Sequence, residues 1–319
     1  MTFPFPAIRK LRMLAAVLVS AGVLAACGGS TSQVDAFAPA RLLSFGDEMS
    51  YLTDDGHKYA INALNTDKTL ACASSPTWVQ YLATTHYGKV FSQCQGTGTS
   101  PDVSAYRLST VKAQVADFVS TVDNYMAGSG FNDKDLVVIM IGTEDVLSQY
   151  RLYTGSNESD LSAELTTRGE QLAAQVVRIV GTGARVLIST IPDLGLTPYA
   201  IAQKADVGDD RPALLTRLTD VFNKSMRLGL TELDGSQAGL LLGDDLSRAM
   251  VRVPGYYGLT NYTEAACATA LPNCTTDTLV SGATSAPATY LWADDIHPST
   301  TFHLQLGMQA VTRVNTLPF

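Results

Sequence analysis

Leu136-Val137-Val138-Ile139-Met140-Ile141, halted by Gly142, is an uninterrupted apolar run. No polar residue alternates within it, so the strand it predicts is buried on both faces, as in a parallel sheet covered from two sides. Similar runs recur on either side. Arg41-Leu42-Leu43-Ser44-Phe45 stops at Gly46-Asp47, Arg185-Val186-Leu187-Ile188-Ser189-Thr190-Ile191 stops at Pro192, and Leu240-Leu241-Leu242 is a shorter example. Between them, apolar residues recur at steps of three and four. Leu108, Val111, Val115, Phe118, Val122 and Tyr125 precede Gly128; Leu161, Leu165, Leu172, Val176 and Ile179 precede Gly181; Leu215, Leu218 and Phe222 follow Pro212. Those steps predict helices, with a short one around Trp78 to Leu82 and a last one from Thr300. Residues 251–290, rich in Thr, Ala and Tyr, read as an irregular excursion. Strand, helix, strand, helix, strand predicts one three-layer α/β/α domain around a parallel sheet, spanning residues 40–319.

The 319 residues are 46% hydrophobic and 16% charged, which supplies a large core and excludes a disordered chain or a coiled coil. Asp and Glu number 30 against 22 Lys and Arg, and no basic run could track a polyphosphate backbone, so nucleic acid is not an expected partner. At the N-terminus, Arg9, Lys10 and Arg12 precede an apolar stretch from Met13 to Leu24 that is short for a membrane span. It ends in Leu24-Ala25-Ala26-Cys27, followed by Gly28, Gly29 and Ser30. This arrangement resembles a bacterial lipobox. The resemblance implies a signal peptide over 1–26, lipid on Cys27, and a flexible tether over 27–39. It places the protein in the cell envelope, held to a membrane through that lipid. With no Asp after Cys27, the outer membrane of a diderm bacterium is the expected destination.

Four further cysteines in an exported chain imply disulfides, and the sequence-local pairing joins Cys72 to Cys94 and Cys267 to Cys274. A zinc site is the alternative, but no C-x-x-C spacing is present.

Sites in such sheets form where strands give way to loops. The exits read Ser44-Phe45-Gly46-Asp47-Glu48-Met49-Ser50, Ile141-Gly142-Thr143-Glu144-Asp145 and Ile191-Pro192-Asp193-Leu194-Gly195; near the C-terminus stands Trp292-Ala293-Asp294-Asp295-Ile296-His297-Pro298-Ser299. Together these resemble the SGNH, or GDSL, hydrolase family, nearest its lipase and phospholipase-like branch. The resemblance runs from about residue 41 to residue 315. It implies the SGNH-hydrolase (flavodoxin-like) fold and ester hydrolysis. In the family a Ser on the first turn attacks an ester, a His takes its proton, and an Asp three residues before orients the ring. A Gly N–H and an Asn side chain stabilise the oxyanion. Carried over by position, Asp294 and His297 match the Asp–His pair, and His303 matches a second His that often follows. The oxyanion Gly falls at Gly96 or Gly98, and Gly142, Asp47 and Asp145 are expected to line the pocket.

Two positions depart from the pattern. Glu48 stands where the nucleophile belongs, and Glu144 stands where the Asn belongs. A carboxylate at 48 could be held by the N-terminal end of a following helix or by an ion pair with His297. Neither acid supports the serine mechanism. Three readings stay open: a non-catalytic relative binding a small ester, lipid or glycan in the retained pocket; an esterase using Ser50 or Ser44; and acid-based hydrolysis through Glu48 and Glu144. Hard oxygen ligands beside a His could also take a divalent cation, but no metal or cofactor motif is present.

Overall fold

The computed structural model describes residues 37–316 apart from 54, 72, 88–107 and 208–209. The expected signal peptide, Cys27 and most of the expected tether lie outside the described residues, as do Cys72, Cys94, Gly96 and Gly98. Five strands form one parallel sheet: β1 (Arg41–Gly46), β2 (Leu108–Ser109), β3 (Asp135–Met140), β4 (Arg185–Ser189) and β5 (Ala238–Leu241), in the order β2-β1-β3-β4-β5. Phe45 pairs with Ile139, Ile139 with Ile188, and Ile188 with Leu240. Every residue of β3 is buried, as its unbroken apolar run requires.

Two sets of helices enclose the sheet. One comprises α2 (Val115–Ala127), α3 (Thr143–Tyr150), α4 (Glu158–Val180) and α6 (Arg211–Gly229), which pack on one another; the other comprises α1 (Trp78–Tyr87), α7 (Gly243–Arg252) and α8 (Thr300–Asn315). A further helix, α5 (Pro198–Val207), leans on α6. Among the described residues no helix is long and apolar enough to cross a membrane.

Two expectations need correction. Leu108 and Val111 continue the helical spacing of α2, yet Leu108 lies in β2 and Val111 in the connection, 39% exposed. The helix starts after Gln114, whose backbone is extended and whose N–H donates to the Asp117 carboxylate at 2.9 Å, a reciprocal cap that fixes the start. The second concerns 251–290, which is not irregular throughout: β6 (Asn261–Ala265) pairs in parallel with β7 (Tyr290–Trp292). Just beyond β6, a disulfide joins Cys267 to Cys274.

The Pro192-Asp193-Leu194-Gly195 exit of β4 is a structural junction. Asp193 accepts from the Gly195 N–H at 3.0 Å and from the Thr216 hydroxyl at 2.8 Å, and its other oxygen takes the Arg248 guanidinium at 2.8 Å. One buried carboxylate thereby ties β4 to α6 and α7.

Candidate active site

Gly46 ends β1 with φ +145°, and a side chain there would overlap the Met140 carbonyl of the neighbouring strand. Only glycine allows the sharp exit that brings residue 48 over the sheet's end. Asp47 follows in extended backbone and accepts from the Met49 N–H at 3.1 Å, capping a single 3-10 turn, Glu48–Ser50. The turn is three residues long, so no helix dipole is available to hold Glu48.

Two other groups do so. Glu48 is 6% exposed. Its Oε2 accepts from the Lys112 backbone N–H at 2.6 Å, and its Oε1 lies 3.1 Å from His297 Nε2. On the far side of the ring, Nδ1 stands 2.8 and 3.0 Å from the two oxygens of Asp294. Asp294 is in turn oriented by the backbone N–H groups of Ile296 at 2.9 Å and His297 at 2.6 Å. These bonds follow from β7 ending at Trp292 and the chain turning back at Pro298.

With a carboxylate against each ring nitrogen, both nitrogens donate and the ring is an imidazolium. Burial opposes the charge on His297, but the bonds and charges of Asp294 and Glu48 outweigh it and raise the pKa to about 10. Burial would raise Glu48 and Asp294, yet the His297 bond overrides it, and both are held below their ordinary range. Asp47 behaves in the opposite way: burial first, then the Glu48 charge, pushes it up to about 7. Its Oδ2 is buried without a hydrogen-bond partner.

A cleft of about 550 Å³ opens over this row, with Glu48, Asp294 and His297 on its floor. Tyr59 forms one side, its ring 5.8 Å from that of His297, and Ala265 with the stretch from Cys267 to Leu271 forms another. Lys112, Arg151 and Asp295 stand at the rim.

The remaining sequence candidates are placed as follows. Glu144 lines the cleft but makes no hydrogen bond to His297; it is paired with Arg151 at the N-terminal turn of α3. Convergence of Glu48 and Glu144 on His297 is therefore corrected. Asp47, Gly142 and Asp145 do not line the cleft, which corrects their expected place. Asp47 is fully buried beneath Glu48. Gly142 has φ +132° and faces the Phe222 ring, where a side chain would collide. Asp145 turns inward, accepting from the Val115 N–H at 3.0 Å and from Arg168 at 2.8 Å, so it braces α2 against α4. Ser50 is buried and accepts from Trp78 Nε1 at 3.1 Å; Ser44 is buried within β1. His303 is buried with neither ring nitrogen bonded, and burial lowers its pKa to about 3, so it stays neutral.

Lys112 was not legible as a site residue. Its contribution is a backbone N–H aimed by a left-handed conformation, φ 54°, in the connection after β2. A positive φ in a lysine leaves no mark in the sequence. Among the described residues, no group of three or more His, Cys, Asp or Glu is arranged to hold a metal ion.

Comparison with known proteins adds the family. The profile described as GDSL-like Lipase/Acylhydrolase matches residues 50–310, beginning just after Glu48. The secreted effector protein SseJ of Salmonella typhimurium is 27% identical over 126 residues; the match covers 39% of this chain and 27% of SseJ, so the chain spans about a quarter of that relative's length. The acetylxylan esterase Axe2 of Geobacillus stearothermophilus is 14% identical, with 88% of this chain and 97% of that chain covered and a TM-score of 0.49. A member of the lipolytic G-D-S-L family from Veillonella parvula is 10% identical, with 85% and 96% covered and a TM-score of 0.43. The profile match over most of its length shows that this chain belongs to the GDSL-like lipase/acylhydrolase family.

Proposed function

We propose that this protein is an exported, lipid-anchored member of the family that binds a small ester, lipid or glycan in its cleft without serine-based acyl transfer. The observation that carries this reading is the Glu48 carboxylate seated against His297 Nε2. A serine mechanism needs a neutral imidazole whose lone pair faces a hydroxyl. Here the atom opposite Nε2 is a carboxylate oxygen, and the ring stays charged until about pH 10. Glu48 itself, with its pKa lowered and both oxygens engaged, is a weak base and a weak nucleophile. Ser50 and Ser44 are buried in other contacts, and Glu144 brings a negative charge, not a donor, to the cleft. The anchor on Cys27 and the place in the outer membrane rest on the N-terminal sequence.

The test is titration of the soluble chain lacking residues 1–27 with p-nitrophenyl butyrate. Binding without release of nitrophenolate is the expected result. Release that disappears in His297→Ala would overturn the reading.

A further inference from the structure

The chain between the two cysteines of the disulfide is a wall of the cleft. Cys267, Ala268, Thr269, Ala270 and Leu271 all line it. Ala268, Thr269 and Ala270 are exposed, while Cys274 is fully buried in a small apolar cluster with Ile61, Ala266 and Tyr290. The loop is thus anchored at its base and open on its cleft side. It hangs outside the five-stranded sheet, where the packing of β1, β3 and β4 does not hold it.

A second restraint comes from far away in sequence. Asn62 is 1% exposed, and its Nδ2 lies 2.8 Å from the Pro272 carbonyl and 3.0 Å from the Cys274 carbonyl. Its backbone N–H donates to the Cys274 carbonyl at 3.0 Å, and its own carbonyl accepts from Thr276 at 3.0 Å. Asn62 Oδ1 accepts from the Lys58 N–H at 3.0 Å, which fixes the turn carrying Tyr59. One buried side chain therefore connects two parts of the cleft lining, the turn carrying Tyr59 and the 267–274 loop. Placing a fully hydrogen-bonded amide at such a junction sets a unique spacing, because any shift leaves buried carbonyls unpaired.

We propose that the 267–274 loop is the element that determines which ligands the cleft admits, and that Asn62 is the positioning residue that fixes its distance from Tyr59. The row of small side chains, Ala265, Ala268 and Ala270, leaves the space a ligand occupies. A rigid wall admits ligands by size and shape, since neither the covalent nor the hydrogen-bonded restraint lets it retreat. This inference rests on the reading that the cleft takes a ligand, and its test separates the two.

The test is amide hydrogen exchange of the soluble chain with and without p-nitrophenyl octanoate, with nitrophenolate release followed in the same samples. The expected result is slowing of exchange at Ala268 and Asn273 by about tenfold in the parent, with β3 unaffected. Ala270→Trp, an exposed substitution that leaves the fold intact, should abolish that protection by filling the cleft. Asn62→Asp places a carboxylate against two carbonyls; it should speed exchange of the unliganded loop and weaken the protection, while β3 exchanges as before. Protection at Tyr59 and Lys112 that is absent from the loop, or loop protection unchanged in Ala270→Trp, would overturn the proposal; protection absent from the whole lining would instead contradict the reading that the cleft takes this ligand. Release of nitrophenolate by the parent, with loop protection intact, would instead contradict the non-catalytic reading and leave this one standing.

Discussion

Glu48 Oε1 and His297 Nε2 are 3.1 Å apart, across 249 residues of sequence. With Asp294 against the other nitrogen, the imidazole is clasped between two acids and can release a proton only at the cost of both ion pairs. An imidazole in that state donates hydrogen bonds and stabilises anions. It does not act as a base at neutral pH.

The first consequence is spectroscopic. In a nuclear magnetic resonance titration, the His297 ring should carry protons on both nitrogens at pH 7 and lose one near pH 10. Glu48→Gln removes one of the two charges and should lower the midpoint by about one pH unit. A parent midpoint near the ordinary histidine value of 6.5 would show that the clasp does not form in solution.

Stability should follow the same groups. His297 has its pKa raised on folding, so its contribution is complete below pH 6.5 and is lost as pH rises towards 10. Glu48 and Asp294 have theirs lowered, so their contributions are complete above their ordinary values of 4.5 and 3.8 and are lost as pH falls below them. All three are present together between roughly pH 5 and 6.5. Denaturant unfolding at several pH values should therefore show the largest difference between parent and Glu48→Gln in that window, shrinking towards both extremes.

Asp47 has the reverse sign. Its pKa is raised to about 7, so the folded state loses stability as pH climbs from the ordinary value of 3.8, and the cost persists above 7. Asp47→Asn keeps the acceptor for the Met49 N–H and removes the buried charge. It should stabilise the protein by roughly 1–3 kcal/mol at pH 8 and leave stability at pH 3 unchanged. Equal effects at both pH values would place the cost elsewhere.

Asp145 stands next to Glu144 in sequence but serves the scaffold. Asp145→Ala leaves Arg168 with Glu164 and Gln114 but deprives the Val115 N–H of its acceptor, and should lower the unfolding free energy by about 1–3 kcal/mol. The His297 titration should not move. A shifted titration in a variant of normal stability would return Asp145 to the cleft.

What the sequence revealed of this molecule follows from where each signal is stored. The strands β1, β3 and β4 are legible because burial on both faces writes itself as unbroken apolar runs. Asp294 and His297 are legible because their contact is local, three residues apart. The start of α2 was not, since Leu108 and Val111 fall on its spacing by accident and the cap at Gln114 overrides it. The inward turn of Asp145 depends on Arg168, a partner on another helix. Lys112 acts through a backbone N–H, and Asn62 through carbonyls some 210 residues away, so neither leaves a side-chain pattern to find.

The most direct measurement compares p-nitrophenyl acetate turnover by the parent, His297→Ala and Glu48→Ser, each as the soluble chain at pH 8. Removing the carboxylate frees Nε2 and sets a hydroxyl in its place. Glu48→Ser should exceed the parent by about a hundredfold or more, with the parent no faster than His297→Ala. Turnover by the parent that is lost in both variants would contradict the claim that Glu48 displaces the serine mechanism, and would make Glu48 itself the catalytic group.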